Sequence, residues 1–132
     1  MLRCMLTLVC VLSICAVGCG PASSVKMRAV KGQVKLDGKP MPNGEIQFEI
    51  PGKVPATIPI KDGAYSGNAP EGKARVEIRA YKPAAPVKMG NDIVNQGSME
   101  NYLPARYNSS STFTADISAS GPNEFNFEVT SK

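Results

Sequence analysis

Apolar and polar residues alternate with a period of two along most of this chain. Val30, Gly32, Val34 and Leu36 alternate with Lys31, Gln33 and Lys35. The same pattern sets Ile46, Phe48 and Ile50 against Glu45, Gln47 and Glu49, and Ala74, Val76, Ile78 and Ala80 against Lys73, Arg75, Glu77 and Arg79. It returns at Phe113, Ala115 and Ile117, and again at Phe125, Phe127 and Val129. Successive side chains of a strand point to opposite faces, so each run predicts a strand with one face buried and one wet. Residues 56–60 and 64–67 are weaker strand candidates, and no run of useful length carries a helical period.

Turn chemistry separates the runs. Asp37-Gly38, Asn43-Gly44 and Asp62-Gly63 are expected to supply the positive φ angles of tight turns. Pro70-Glu71-Gly72 and Gly121-Pro122-Asn123 mark two further boundaries. The pattern predicts an all-β fold, a single antiparallel two-sheet β-sandwich of about seven strands. Residues 82–106 break the pattern. They hold Pro83, Pro86 and Pro104 with aperiodic apolar residues, and read as a long connection with a helical turn near 95–102.

The chain opens differently. Arg3 precedes an apolar run from Met5 to Val17, followed by Gly18-Cys19-Gly20 and Pro21-Ala22-Ser23-Ser24. A spanning helix needs about 20 apolar residues, so this shorter run has the form of an export signal. The expected organisation is a signal over 1–18, a lipidated terminus and tether over 19–27, and a β domain over 28–132.

Ala16-Val17-Gly18-Cys19 resembles the lipobox of bacterial lipoproteins, although Ala16 stands where leucine is commonest. That resemblance implies cleavage after Gly18, lipidation of Cys19, and a domain tethered to the cell membrane or outer membrane. Cys10 follows Val9 and Cys15 follows Ile14, and both preceding residues are too bulky at a cut that needs a small one. The alternative is an ordinary secretory signal cut near Ala22.

A second resemblance covers most of the domain. The run from Gly32 through Asp37-Gly38-Lys39-Pro40 to Phe48 resembles the opening of a carboxypeptidase-regulatory-like domain. Lys61-Asp62-Gly63-Ala64-Tyr65 and Glu71-Gly72-Lys73-Ala74-Arg75-Val76 are similar to its next marks, with Ala74 in place of an aromatic. Tyr102-Leu103-Pro104-Ala105-Arg106-Tyr107-Asn108 resembles a segment of a bacterial lipoprotein branch. The resemblance implies a transthyretin-like β-sandwich and is nearly silent on function.

Composition narrows the chemistry. All four cysteines lie at or before Cys19, so the domain has no thiol and no disulfide. The chain lacks histidine, the usual general base and the commonest transition-metal ligand. A net charge of +4, with the basic residues dispersed, argues against nucleic acid as a partner. Asp37 and Asp62 sit in turns without the convergent oxygens of a calcium loop. No cofactor, metal or catalytic residue is expected, and the protein is read as a non-enzyme.

The expected role is a non-catalytic structural or protein-interaction module at the envelope, held to the membrane through Cys19. The alternative is carbohydrate binding through exposed aromatics. The contact residues expected are Tyr81, Met89, Tyr102, Arg106 and Tyr107, in and beside the long connection.

Overall fold

The computed structural model describes residues 24–94 and 97–132. The signal and Cys19 lie outside the described residues. The chain forms β1 (Met27–Leu36), β2 (Lys39–Pro40), β3 (Asn43–Glu49), β4 (Ala56–Lys61), β5 (Ala64–Pro70) and β6 (Gly72–Arg79). Four short strands follow: β7 (Tyr81–Pro83), β8 (Val87–Met89), β9 (Asp92–Val94) and β10 (Met99–Asn101). A 3-10 turn at Ala105–Tyr107, β11 (Thr114–Ile117) and β12 (Phe127–Val129) complete the chain. Among the described residues there is no α-helix.

The protein is all-β, built mainly from one curled sheet in the order β11-β6-β3-β4-β5-β1-β12, with β2 also pairing β1. Its pairs are antiparallel except for β1 with β12. The sequence led to two separate sheets. Instead, residues 56–60 and 64–67 lie in full strands that join the halves through the β4–β5 hairpin. Those two strands are ladder-paired at Lys61–Ala64 and splay beyond, with Ile58 laid against Gly67. A twisted sheet that stays hydrogen-bonded in this way closes around its own apolar face.

That inner face holds the core. Val30, Val34, Met41, Ile46, Phe48, Ile60, Val76, Ile78, Ile117 and Val129 are all but inaccessible. Phe48 meets Tyr65 and Phe125 across the core, with ring centroids 6.0 and 6.4 Å apart. The two ends of the sheet approach through an aromatic seam, in which Phe113 lies 5.2 Å from Phe127 and 5.8 Å from Tyr107. Leu36, Phe113, Phe125 and Phe127, expected on the buried face, are half-buried because they line this rim and seam.

Two of the three expected turns have the required backbone. Asp37 and Gly38 have φ of 51° and 79°, and Asp62 and Gly63 have 50° and 78°. Two successive positive φ angles match the twist of the strands they join. Asn43-Gly44 is not such a turn but opens β3. Gly44 is needed there for close approach, because a Cβ would sit 2.4 Å from the Arg79 carbonyl oxygen.

The outer face of β3 and β6 also departs from expectation. Glu45, Gln47 and Glu49 stand opposite Arg79, Glu77 and Arg75. Glu77 binds Arg75 at 2.5 Å and also Arg79, while Arg75 meets Glu49 at 2.5 Å and Arg79 donates to Gln47 at 2.7 Å. The alternation marked Glu77 as wet, but it is only 5% exposed. Residues two apart on a strand share a face, so the two long guanidinium side chains close over the carboxylate between them.

Candidate functional site

The chain leaves the curled sheet at Ala80 and returns at Tyr102. The exit is held shut. Asn101 Oδ1 accepts from the N–H groups of Ala80 at 3.1 Å and Leu103 at 3.2 Å, and the Tyr102 N–H donates to the Ala80 carbonyl at 3.0 Å. Leu103, buried against the core, anchors the returning chain. The excursion is thus built on a fixed base.

It is not a loop, as the sequence suggested, but two successive β ribbons. In the first, β7 pairs β10 as Tyr81–Asn101, Lys82–Glu100 and Pro83–Met99. The exposed Lys82–Glu100 ion pair spans 3.2 Å. In the second, β8 pairs β9 as Val87–Val94, Lys88–Ile93 and Met89–Asp92, turning at Gly90 with φ 66°. Of the expected helical turn near 95–102, residues 99–101 are strand β10, and the 3-10 turn comes later. Prolines at 83 and 86 sit at strand ends, where a missing N–H is tolerated.

The ribbons carry exposed apolar side chains. Met89 is 68% exposed, Met99 58%, Ile93 50% and Val87 45%. None of the described residues between Tyr81 and Asn101 belongs to the core. This is the strongest surface feature of the excursion.

The five expected contact residues do not form one patch. Tyr81, at the base, is half-buried and donates from its hydroxyl to Glu45 at 2.7 Å, which raises its pKa above the ordinary tyrosine range. Tyr102, also at the base, packs against the core with Lys82 Nζ 6.0 Å from its ring. Met89 is at the hairpin tip. Arg106 and Tyr107 face the chain's last residues. The Arg106 guanidinium lies 4.8 Å from the Tyr107 ring and donates to Thr130 Oγ1 at 2.8 Å and to the main-chain oxygen of Lys132. Tyr107 Oη lies 3.1 Å from Thr130 Oγ1, and this hydrogen bond, followed by that of Arg106, lowers its pKa.

Surface hollows lie beside β1. One of about 310 Å³ is lined by Lys31, Gln33, Tyr65, Ser66 and Glu124. Among the described residues no three metal-ligating side chains converge. Sequence reasoning also missed Val25, Met27 and Val54, which are exposed at the other end of the sheet. Val54 gave no periodic signal because it lies in the β3–β4 connection.

No protein-family model matches the chain, and no curated protein matches it in sequence. Among solved structures, a DUF3823 family protein from Parabacteroides merdae is similar, at 18% identity and a TM-score of 0.45. The match covers 80% of this chain and 47% of that one, so it spans about half the length of that protein.

Proposed function

We propose that the protein is a lipid-anchored envelope module, non-catalytic, that contacts a partner protein through the β8–β9 hairpin. The observation that carries this reading is the exposure of Val87, Met89 and Ile93 on an element that adds nothing to the core. Apolar side chains left exposed together on a small element mark interaction sites. The membrane attachment rests on the lipobox-like residues ending at Cys19. The same reading takes the curled sheet as the transthyretin-like sandwich of a carboxypeptidase-regulatory-like domain. Support comes from the paired Asp-Gly turns and from the two halves facing each other across Phe48, Tyr65 and Phe125.

The test is site-specific crosslinking in cells. A photoreactive residue at Met89 is expected to yield one protein adduct, identified by mass spectrometry, that Thr57 on the outer face does not yield. The same adducts from both positions would sink the reading.

Glycan binding is the second reading, and the polar hollow beside β1 is what favours it. Its amide, hydroxyl, carboxylate and ammonium groups suit sugar hydroxyls, whereas Tyr102 and Tyr107 are half-buried. Array binding lost in Gln33→Ala would assign the ligand to the hollow, and loss in Tyr102→Ala to the excursion.

A further inference from the structure

The exposed apolar residues of this protein fall into two groups at opposite ends of the curled sheet. Val87, Met89, Ile93 and Met99 lie beyond the C-terminal end of β6, while Val25, Met27 and Val54 lie at its N-terminal end. Val54 is 82% exposed, Met27 51% and Val25 46%. Two of the second group, Val25 and Met27, lie within eight residues of Cys19 in the sequence.

Glu71 holds this second group together. Its N–H donates to the Lys26 carbonyl at 2.8 Å, its carboxylate binds Arg28 at 2.8 Å, and its carbonyl accepts from Lys53 Nζ at 2.5 Å. Val25 and Met27 flank Lys26, and Val54 follows Lys53, so Glu71 ties the two chain segments that carry these apolar residues to the same end. The charges there are Lys26, Arg28, Lys53 and Lys73 against Glu71 and Asp116, with Arg75 and Glu49 paired to each other. Lys73 stands opposite Asp116. In the excursion at the far end Lys82 pairs with Glu100, and Lys88 shares the small hairpin with Asp92, so the charges of the excursion itself cancel.

We infer that this end of the domain docks on the bilayer that holds the lipid anchor, inserting Val25, Met27 and Val54 among the headgroups with Lys26 and Lys53 against anionic phosphates. The inference rests on the reading of Cys19 as lipidated. Tether length decides which end can reach. Seven residue steps from Cys19 to Lys26 extend about 25 Å at most. The ten residues of β1 extend about 33 Å. An inverted domain, hairpin down, would lift the start of β1 farther from the bilayer than the tether allows. The apolar and basic residues therefore coincide with the end that the anchor holds close, and anionic lipid attracts such a basic rim. The hairpin then points away from the membrane, toward partners.

The chain has no tryptophan, so single tryptophans report position. The processed chain from Cys19, carrying Val54→Trp or Met89→Trp, is coupled through the Cys19 thiol to a maleimide lipid in vesicles of phosphatidylcholine and phosphatidylglycerol. Lipids brominated in their acyl chains are expected to quench the Val54→Trp emission several-fold more than that of Met89→Trp. Adding Lys26→Glu and Lys53→Glu, or replacing the anionic lipid, should reduce that quenching. Equal quenching at both positions, quenching at Met89→Trp alone, or none at either overturns docking through this end. So does a blue shift at Val54→Trp that follows protein density without bromine quenching, which would assign the surface to a second copy. Coupling supplies the anchor artificially, so this result is separate from lipidation itself. Lipidation is read by fatty-acid labelling in cells of the native chain against Cys19→Ser.

Discussion

The β3–β6 pair and the β8–β9 hairpin are both antiparallel ribbons of alternating side chains, yet they play opposite parts. On the inner face of β3–β6, Ile46, Phe48, Val76 and Ile78 are sealed from water, and on the outer face Arg75 and Arg79 close over Glu77 in a ladder completed by Glu45 and Glu49. The hairpin has only three residues per strand, and Val87, Met89 and Ile93 are exposed. An isolated two-stranded ribbon is at best marginally stable in water. The excursion that carries the hairpin is held at its own base by the Asn101 side chain and the Leu103 anchor. Strand geometry alone does not make a core. A third neighbour or a facing layer does, and β3 has both.

The largest effect should come from the buried ribbon. Phe48→Ala removes the ring that joins the two halves of the sheet and is expected to cost about 3–5 kcal/mol in denaturant melts. A loss below about 1 kcal/mol would put Phe48 outside the core and undo the contrast.

Next is the outer ladder. Glu77→Ala leaves Arg75 and Arg79 without their shared carboxylate. Both arginines are partly exposed and keep other partners, so solvent screening holds the expected cost to about 1–2 kcal/mol. High salt should narrow the gap between the variant and the native chain. An unchanged melt would show the ladder to be a solvated surface like that of the hairpin.

Alkaline pH separates the regions in another way. The buried Tyr65 hydroxyl donates to the Phe125 carbonyl at 2.7 Å, and burial, followed by the nearby Glu124 charge, raises its pKa well above the ordinary tyrosine range. The neutral phenol is therefore favoured in the folded state. Its contribution is fully present below the unfolded tyrosine pKa, about 10, and is lost as pH rises from there toward the folded value. Melting temperature should fall above that pH in the native chain and fall less in Tyr65→Phe. Equal slopes would rule out Tyr65 as the source.

The smallest effect belongs to the hairpin. Ala84 donates to the Ser98 carbonyl at 2.8 Å, closing the first ribbon just before β8. Replacing residues 86–96 with a short Gly-Ser link should change stability by less than about 0.5 kcal/mol. It should also abolish the Met89-directed adduct. A large loss of stability would make the hairpin a structural lid.

How much was legible follows from the same contrast. Long runs with one buried face, such as β1, β3 and β6, announce themselves because every second residue answers to the core. The hairpin was read as a loop because neither of its faces is sealed, so its residues carry no period. Glu77 fits the polar positions of its strand, and only the arginines on either side make it buried. The expected contact residues were sorted in the same way. Met89 is at the exposed tip, while Tyr81 and Tyr102 are held at the base.

The sequence by itself determined the local grammar of this protein. It set which positions face inward along the long strands, where Asp37-Gly38 and Asp62-Gly63 turn the chain, and that the domain holds no disulfide. Those properties depend on a residue and its near neighbours. The tertiary structure alone decided that the strands share one curled sheet, that Phe113 and Phe127 form its seam, and that Val25, Met27 and Val54 lie exposed at one end. These depend on strand partners far apart in sequence, joined by hydrogen bonds that any backbone can make, and so leave no pattern in the residues themselves.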